Sequence, residues 1–446
     1  MAAPGKLMNQ IRQAWQQSKG FQAALLACLF YFVPRLLLQV YVFAGMWLQY
    51  WGDQQIPVDL KIYLDAAGRF QARQLLYPQG PDRIEVFQYS PAFAWAFGLF
   101  LWLSPVIVVI LNAIFHLVAY ILLYVRWYKI FEKLGLDGAR QMLVATLPVW
   151  LLFSSFWTDL GYLNIYIIIT LLATLLIEAI LEEHFWTALV WLSVILQIKP
   201  HWAFSILVPL LLGQRRFFLK LVIGAIIFYV VVSGLTILLN DPAYGWRQYQ
   251  DYFRFLLNMR DYFPWRTAEN GFLGYNHSLT QVVVYLLDIN QTAFCLATGV
   301  KLLLLVPLVI LAFRNTFNPV RLAGHQMPQL ALDLAFVLYL GAFIWLDMVW
   351  ELSLGIVIFP YLLGTFTQRA TRIGICAVFL PYALLDPWRV FSFGLSLAGL
   401  NTITPNLYVL TDPAIYVPLI MVVILVFYAL LIGRLWRMPQ VQGAPA

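Results

Sequence analysis

Charge is scarce in this sequence. Asp, Glu, Lys and Arg make up 11% of the residues and hydrophobic ones 62%, whereas a soluble domain carries about 25% charged side chains. So few charges cannot coat so much apolar surface, which excludes a soluble globular fold. Cysteine is nearly absent: Cys28, Cys295 and Cys376 each sit within an apolar stretch, and neither a disulfide framework nor a metal cluster is implied. There is no inverted repeat and no pair of Gly/Pro-broken spans at matching positions, which weighs against a secondary transporter. The apolar run from about Phe21 to Trp47 has no small-residue cleavage site and is too long for a signal-peptide core. It reads as an uncleaved first span.

Apolar length dominates instead. Mean hydropathy is +0.78, and aromatic residues make up 17% of the chain. Hydropathy places spans at about 21–48, 105–129, 139–157, 160–181, 185–198, 200–213, 217–239, 291–313, 330–346, 352–367, 372–386 and 413–434. The expected fold is an all-α polytopic membrane protein with about twelve crossings, several of them shorter than the roughly 20 residues of a full span. The apolar stretch 88–103 stops at Ser104-Pro105 and is read as re-entrant or interfacial. Residues 1–446 form one membrane domain, interrupted by two long polar segments rich in Tyr, Trp, Phe and Arg, at 49–90 and 240–290.

The placement of the charges supports this layout. Lys6, Arg12 and Lys19, the basic runs at 126–140 and 215–220, and Arg314, Arg321, Arg369, Arg372, Arg434 and Arg437 fall on one side. By the positive-inside rule that side is cytoplasmic and holds both termini. Most acids, Asp53, Asp59, Asp82, Glu85, Asp241, Glu269 and Asp412 among them, fall on the other. The net charge of +7 is then a signal of topology in a cell membrane, not of nucleic-acid binding; the partner it implies is the lipid bilayer.

Residues 58–78 read VDLKIYLDAAGRFQARQLLYP. Lys61, Asp65, Arg69 and Arg73 fall four apart and form one charged line, while Leu60, Tyr63, Leu64, Ala67 and Phe70 form an apolar face. An amphipathic helix lying on the membrane surface is expected here. Asp59 stands at its start, outside the charged line. Two readings are open for it: a helix cap, or an acid–base group.

Other polar islands converge on the same side: Asp159-Leu-Gly-Tyr-Leu-Asn164, Lys199-Pro-His201, Asn276-His-Ser278 and Trp345-Leu-Asp-Met-Val-Trp-Glu351. Each has a plain structural reading. Lys199 at a helix end can snorkel to water, and Asn164 and Asn276 can cap helices or join them. Asp347 and Glu351, read as one helical turn apart, each need water or a partner at a membrane boundary. Arg35 and Lys301 lie deeper within spans and are default site candidates.

Asp59-x3-Tyr63 with Ala66-Ala67, Leu76-Tyr77-Pro78 and Phe87-Gln-Tyr89-Ser-Pro91 resemble the first extracytoplasmic loop of GT-C glycosyltransferases. More narrowly, the chain is similar to glycosyltransferase family 87, the polyprenyl-phosphate-mannose-dependent α-mannosyltransferases of bacterial envelopes. Gly161-Tyr-Leu-Asn164 resembles that family's Gly-Gln-x-Asn element. Lys199-Pro200 with the Arg215-Arg216 turn, and Asn276-His-Ser278-Leu279, follow in the family's order over roughly residues 20–360. Tyr162 and His277 stand where the family commonly has Gln, and the late segment Trp345–Glu351 lacks the family's histidines.

The resemblance implies a GT-C architecture with amphipathic helices in the first extracytoplasmic loop. It also implies an inverting transfer of a sugar, mannose first, from a polyprenyl-phosphate donor to a lipid- or glycan-linked acceptor hydroxyl. Asp59 is then the general base. Lys199, His277, Arg266, Arg260 and Arg254 are candidates for the donor phosphate, and Tyr63, Tyr89, Asn164, Asn276, Trp350 and Glu351 for the substrates. A lipid-phosphate donor needs no phosphate loop or cofactor, and no such loop is present. The rival readings are a flippase or transporter of a lipid-linked glycan, and a GT-C enzyme using another polyprenyl-phosphate sugar such as arabinose or glucose.

Overall fold

The computed structural model describes residues 3–48, 55–77, 87–270, 273–274, 276–317, 326–400 and 418–437. Pro78, Asp53, Asp82, Glu85, Arg321 and Asp412, named above, lie outside the described residues. Within them every element is helical. The chain begins with α1 (Ala3–Gln17) and α2 (Lys19–Trp47), then α3 (Val58–Gln71) and α4 (Pro91–Phe97), which continues as a 3-10 turn to Trp102. Next come α5 (Pro105–Lys133), α6 (Asp137–Ala145), α7 (Leu147–Leu152), α8 (Ser154–Tyr162), α9 (Tyr166–Leu181) and α10 (Phe185–Ile198). A 3-10 turn, Pro200–Leu207, leads into α11 (Val208–Leu211), followed by α12 (Arg215–Leu238), α13 (Pro242–Tyr262) and α14 (Leu279–Leu287). The last elements are α15 (Gln291–Phe317), α16 (Gln326–Trp345), α17 (Gly355–Thr365), α18 (Arg369–Ala383), α19 (Leu385–Leu397) and α20 (Leu419–Arg437).

Six of these helices, α2, α5, α12, α15, α16 and α20, are long and apolar enough to cross a membrane. Two bent pairs, α6 with α7–α8 (52°) and α18 with α19 (43°), bring the number to eight if each is one span. This is a polytopic membrane protein. The spans expected at 160–181, 185–198, 200–213 and 352–367 fall on shorter apolar helices, the longest being the 16-residue α9. At 1.5 Å per residue such a helix covers about 24 Å, less than the roughly 30 Å hydrocarbon core. The 88–103 stretch forms only the short helical piece Pro91–Trp102.

Parallel packing of α5 and α9 separates two chemically different ends. At one end Lys133 of α5 pairs with Glu178 (3.0 Å) and with Glu182, and Lys6 and Arg140 both reach Glu132. Arg434 of α20 pairs with the buried Asp333 of α16, whose Oδ1 also accepts the Tyr361 hydroxyl at 2.6 Å. Lys6, Lys133, Arg140 and Arg434 thus gather with acids at one end of the bundle. At the other end lie His116, the start of α9, and α3. Gly138 and Gly364 bring α6 and α17 into backbone contact: a Cβ on Gly138 would stand 2.5 Å from the Gly364 carbonyl oxygen. Such small-residue crossings replace hydrophobic collapse as the packing force between helices in lipid.

The expectation for α3 needs correcting. Its apolar face does not rest on lipid. Leu60, Ala67 and Phe70 are 0–1% exposed, and the helix packs on α4, the turn after it and α8. The reason is aromatic: Tyr63 meets Tyr89, Phe93 and Phe97 edge-on at 5.1–5.3 Å, a protein surface that fits it better than acyl chains do. The charged line also ends early. Lys61 and Asp65 pair at 2.6 Å, but Arg73 lies past the helix in the left-handed region (φ 55) and pairs with Asp241 at 3.1 Å, tying α3 to α13.

Gly364→Ala should lower stability by about 1–3 kcal/mol, because the added methyl overlaps the α6 backbone, which cannot rotate away. Gly374→Ala, with nothing within 4 Å, should leave it unchanged. Thermal unfolding in detergent, followed by tryptophan fluorescence, checks both.

Candidate functional site

Asp59 is not the cap of α3. Pro57 occupies the N-cap and its carbonyl accepts the Lys61 amide at 2.9 Å, while Asp59 stands in the first turn, partly exposed. Negative charge is favoured there by the aligned peptide dipoles. Asn164 Nδ2 donates to Asp59 Oδ2 at 2.9 Å. The orientation of that amide is forced, since Asn164 Oδ1 already accepts the Tyr63 hydroxyl at 2.9 Å and the Ile165 amide at 2.6 Å. Tyr63 and Tyr89 hydroxyls stand 2.9 Å apart. Leu163, in the left-handed conformation (φ 50), ends α8 and swings Asn164 back toward α3.

Behind Asn164 lies a fully buried support. Asp159 Oδ1 accepts the Tyr166 amide at 3.0 Å and Oδ2 the Ile167 amide at 2.8 Å, so this carboxylate satisfies the open N-terminus of α9. His116 of α5 stands against it, with Nε2 3.3 Å from Asp159 Oδ2 and bonded to the Asn164 carbonyl, and Nδ1 donating to the Asn112 carbonyl at 2.6 Å. Both oxygens of Asp159 are engaged in holding the 159–167 turn. It thereby supports the position of Asn164.

Lys199 sits between α10 and the following 3-10 turn, its ammonium 3.7 Å from the Tyr166 ring centre and 5.5 Å from that of Tyr89. Among the described residues the ammonium has neither an ion pair nor a hydrogen bond. Burial brings its pKa down to about 8, with Asp59 and Asp159 acting in the opposite direction. The side chain therefore faces inward over two tyrosines instead of snorkelling outward.

The segment 346–353 is not helical, so Asp347 and Glu351 are not one helical turn apart. Lys301 of α15 reaches the start of this segment. Its ammonium donates to the Trp345 carbonyl (2.9 Å) and the Leu346 carbonyl (3.3 Å) and pairs with Asp347 at 2.6 Å, capping the end of α16. Arg35 is likewise held, by Asp386 at 2.9 Å, with the Tyr31 hydroxyl on the same carboxylate at 2.6 Å. Both cations are thus paired with a carboxylate. Asn276 is buried, accepts the Val349 and Ser278 amides at 3.0 and 3.1 Å, and donates to the Asp347 carbonyl at 2.8 Å. Its amide is committed to joining two loops.

His277 and Glu351 lie beyond that staple. Burial, assisted by Arg389, takes His277 down to about 4, so its ring is neutral near pH 7 and offers hydrogen bonds in place of charge. Burial pushes Glu351 up to about 7, opposed by Arg389 and by the Tyr382 hydroxyl, which donates to it at 3.1 Å. The buried His277 Nδ1 and Trp350 Nε1 have no hydrogen-bond partner among the described residues. Arg254 is largely exposed and pairs with Asp251 at 3.3 Å, while Arg260 lies over the Phe294 ring at 4.1 Å. Arg266 exchanges main-chain bonds with the Gln281 amide at 3.2 and 2.7 Å.

The structure thus brings together Asp59, Tyr63, Tyr89, Asn164 and Lys199, adds Asp159, and couples Glu351 to the group through Asp159. Sequence reasoning missed His116, Tyr166 and Arg389. A histidine in the middle of the apolar run 105–129 is the signal that would have found His116, because a polar side chain inside a span needs a partner. Among the described residues no group of three or more His, Cys, Asp or Glu is placed to hold a metal ion. Compared with known proteins, the chain matches no family model, and it shows no significant similarity to a curated protein or to a solved structure.

Asp159→Ala removes the acceptor of two backbone amides and should cost about 1–3 kcal/mol for each donor left buried. Asp159→Asn, which keeps one acceptor oxygen, should cost less. Thermal unfolding checks the order, and amide exchange over 164–167 should rise with it.

Proposed function

We propose that the protein is a GT-C-type glycosyltransferase that moves a sugar, mannose first, from a polyprenyl-phosphate donor to an acceptor hydroxyl at the extracytoplasmic face of a cell membrane. The observation that carries this reading is a partly exposed carboxylate, aimed by a hydrogen-bonded amide, in the same cluster as a lysine that has no acid paired with it. In an inverting transfer the acceptor oxygen attacks the anomeric carbon as the bond from that carbon to the phosphate oxygen breaks. The acceptor proton passes to Asp59, and polyprenyl phosphate leaves toward Lys199. Asn164 keeps one Asp59 oxygen occupied and so fixes the direction of the carboxylate. Tyr63 and Tyr89 hold Asn164 in turn.

Chain direction supports the architecture. Counting the six long helices and the two bent pairs as spans, we read the four shorter apolar helices α9, α10, the Pro200–Leu211 piece and α17 as further passes, which makes twelve. Twelve is even, which returns both termini to the basic, cytoplasmic end. Asp59, Lys199 and His277 then share the opposite face. A flippase would use the lysine and the aromatic lining but has no need of a directed carboxylate. The test is incubation of the purified protein with a panel of polyprenyl-phosphate sugars, following release of polyprenyl phosphate.

Asp59→Asn should cut turnover by roughly 10²–10⁴-fold with stability near wild type, because asparagine cannot take a proton. Asp65→Asn, in the exposed pair with Lys61, should cost little, and full activity of Asp59→Asn would leave the flippase reading standing. The Lys199 ammonium is charged below about pH 8 and neutral above it. Apparent donor affinity should therefore weaken as pH rises through 8, and a profile flat to higher pH would remove Lys199 from the phosphate.

A further inference from the structure

Arg389 of α19 differs from Arg35 and Arg434, two other arginines that reach into the protein. Arg35 and Arg434 are each neutralised by a buried carboxylate. The Arg389 guanidinium has a single hydrogen-bond partner among the described residues, the neutral Thr158 hydroxyl, 2.9 Å from Nη1. Thr158 directly precedes Asp159, so this bond places the guanidinium beside the turn that carries Asn164. Arg389 acts electrostatically on both His277 and Glu351, yet it forms no ion pair with Glu351 within 4.0 Å. Among the described residues, the buried Nδ1 of His277 and the buried Nε1 of Trp350, the neighbour of Glu351 in the chain, have no hydrogen-bond partner. A charge with no counter-ion, together with unmatched polar atoms, is the arrangement an anion completes.

The geometry points to Arg389, with His277 as a neutral hydrogen-bonding neighbour, as the second cation of the phosphate site, the one that takes up charge appearing on the leaving group. This rests on the glycosyltransferase reading. A polyprenyl-phosphate sugar is a phosphodiester with one negative charge, which Lys199 alone can match. Cleavage of the sugar–oxygen bond converts it to a monoester carrying about 1.5 to 2 negative charges near pH 7. The additional charge develops in the transition state and persists in the product. Arg389 is therefore worth more to the leaving phosphate than to the intact donor, the differential binding that accelerates a reaction.

The experiment measures binding of polyprenyl phosphate, of a polyprenyl-phosphate sugar and of the uncharged polyprenol to the purified full-length protein in lipid nanodiscs. Arg389→Gln should weaken polyprenyl phosphate at least tenfold, weaken the sugar-bearing donor less, and leave polyprenol unchanged. Arg389→Lys, which keeps the charge without the planar fork, should recover part of the loss; it also keeps the test alive if Arg389→Gln does not fold. In turnover, kcat should fall more than donor KM rises. Equal binding of polyprenyl phosphate by wild type and Arg389→Gln overturns the inference, and so does parallel weakening of polyprenol, which would mark a role in folding alone. A wild-type protein that binds neither phosphate overturns the glycosyltransferase reading itself.

Discussion

The side-chain amide of Asn164 is the joint on which the Asp59 end of the molecule turns. Its oxygen is filled by the Tyr63 hydroxyl and the Ile165 amide, so its nitrogen has one direction left, toward Asp59. Everything nearby serves that orientation. The left-handed Leu163 reverses the chain so that Asn164 faces α3. His116 holds the Asn164 carbonyl from α5, and Asp159 closes the start of α9 behind it. Helix α3 docks through Tyr63 onto the aromatic cluster of α4, which keeps Asp59 within reach. Loss of any one support frees a carboxylate that hydrogen bonds now aim.

Charge placement among the described residues of the bundle follows one rule, from which Lys199 and Arg389 depart. A charge taken out of water is costly unless it is paired and hydrogen-bonded. Arg35 with Asp386, Lys301 with Asp347 and Arg434 with Asp333 obey it, and each pair also fixes helices to one another. Lys199 lies over two tyrosine rings without an acid, and Arg389 holds only a threonine hydroxyl. Both exceptions lie near Asp159, at the end of the molecule away from the basic cluster around Lys133 and Arg140. These two cations and the directed carboxylate of Asp59 are the features on which the proposed function rests.

Much of this was legible because polar residues are so few. In a chain with 11% charged residues, short islands such as Asp159–Asn164 and Lys199–His201 stand out. Roles within the islands were less accessible. Asn276 joins two loops, Lys301 caps α16, Arg260 lies over the Phe294 ring and Arg254 pairs with Asp251. Some of these roles depend on contacts between segments far apart in the chain, 73 residues apart for Asn276 and Val349, as is the 231-residue contact of Arg389 with Thr158.

Composition and periodicity by themselves determined that this is a helical membrane protein, where its long helices run, and that α3 is amphipathic with Asp59 at its start. They could do so because the hydrophobic effect and backbone hydrogen bonding act locally, residue by residue along a helix. Only the tertiary structure decided that the apolar face of α3 meets protein, not lipid, that 346–353 unwinds, and which cations are left unpaired. Those outcomes depend on which side chains meet across the bundle, and a buried charge takes its role from the partner it finds or lacks.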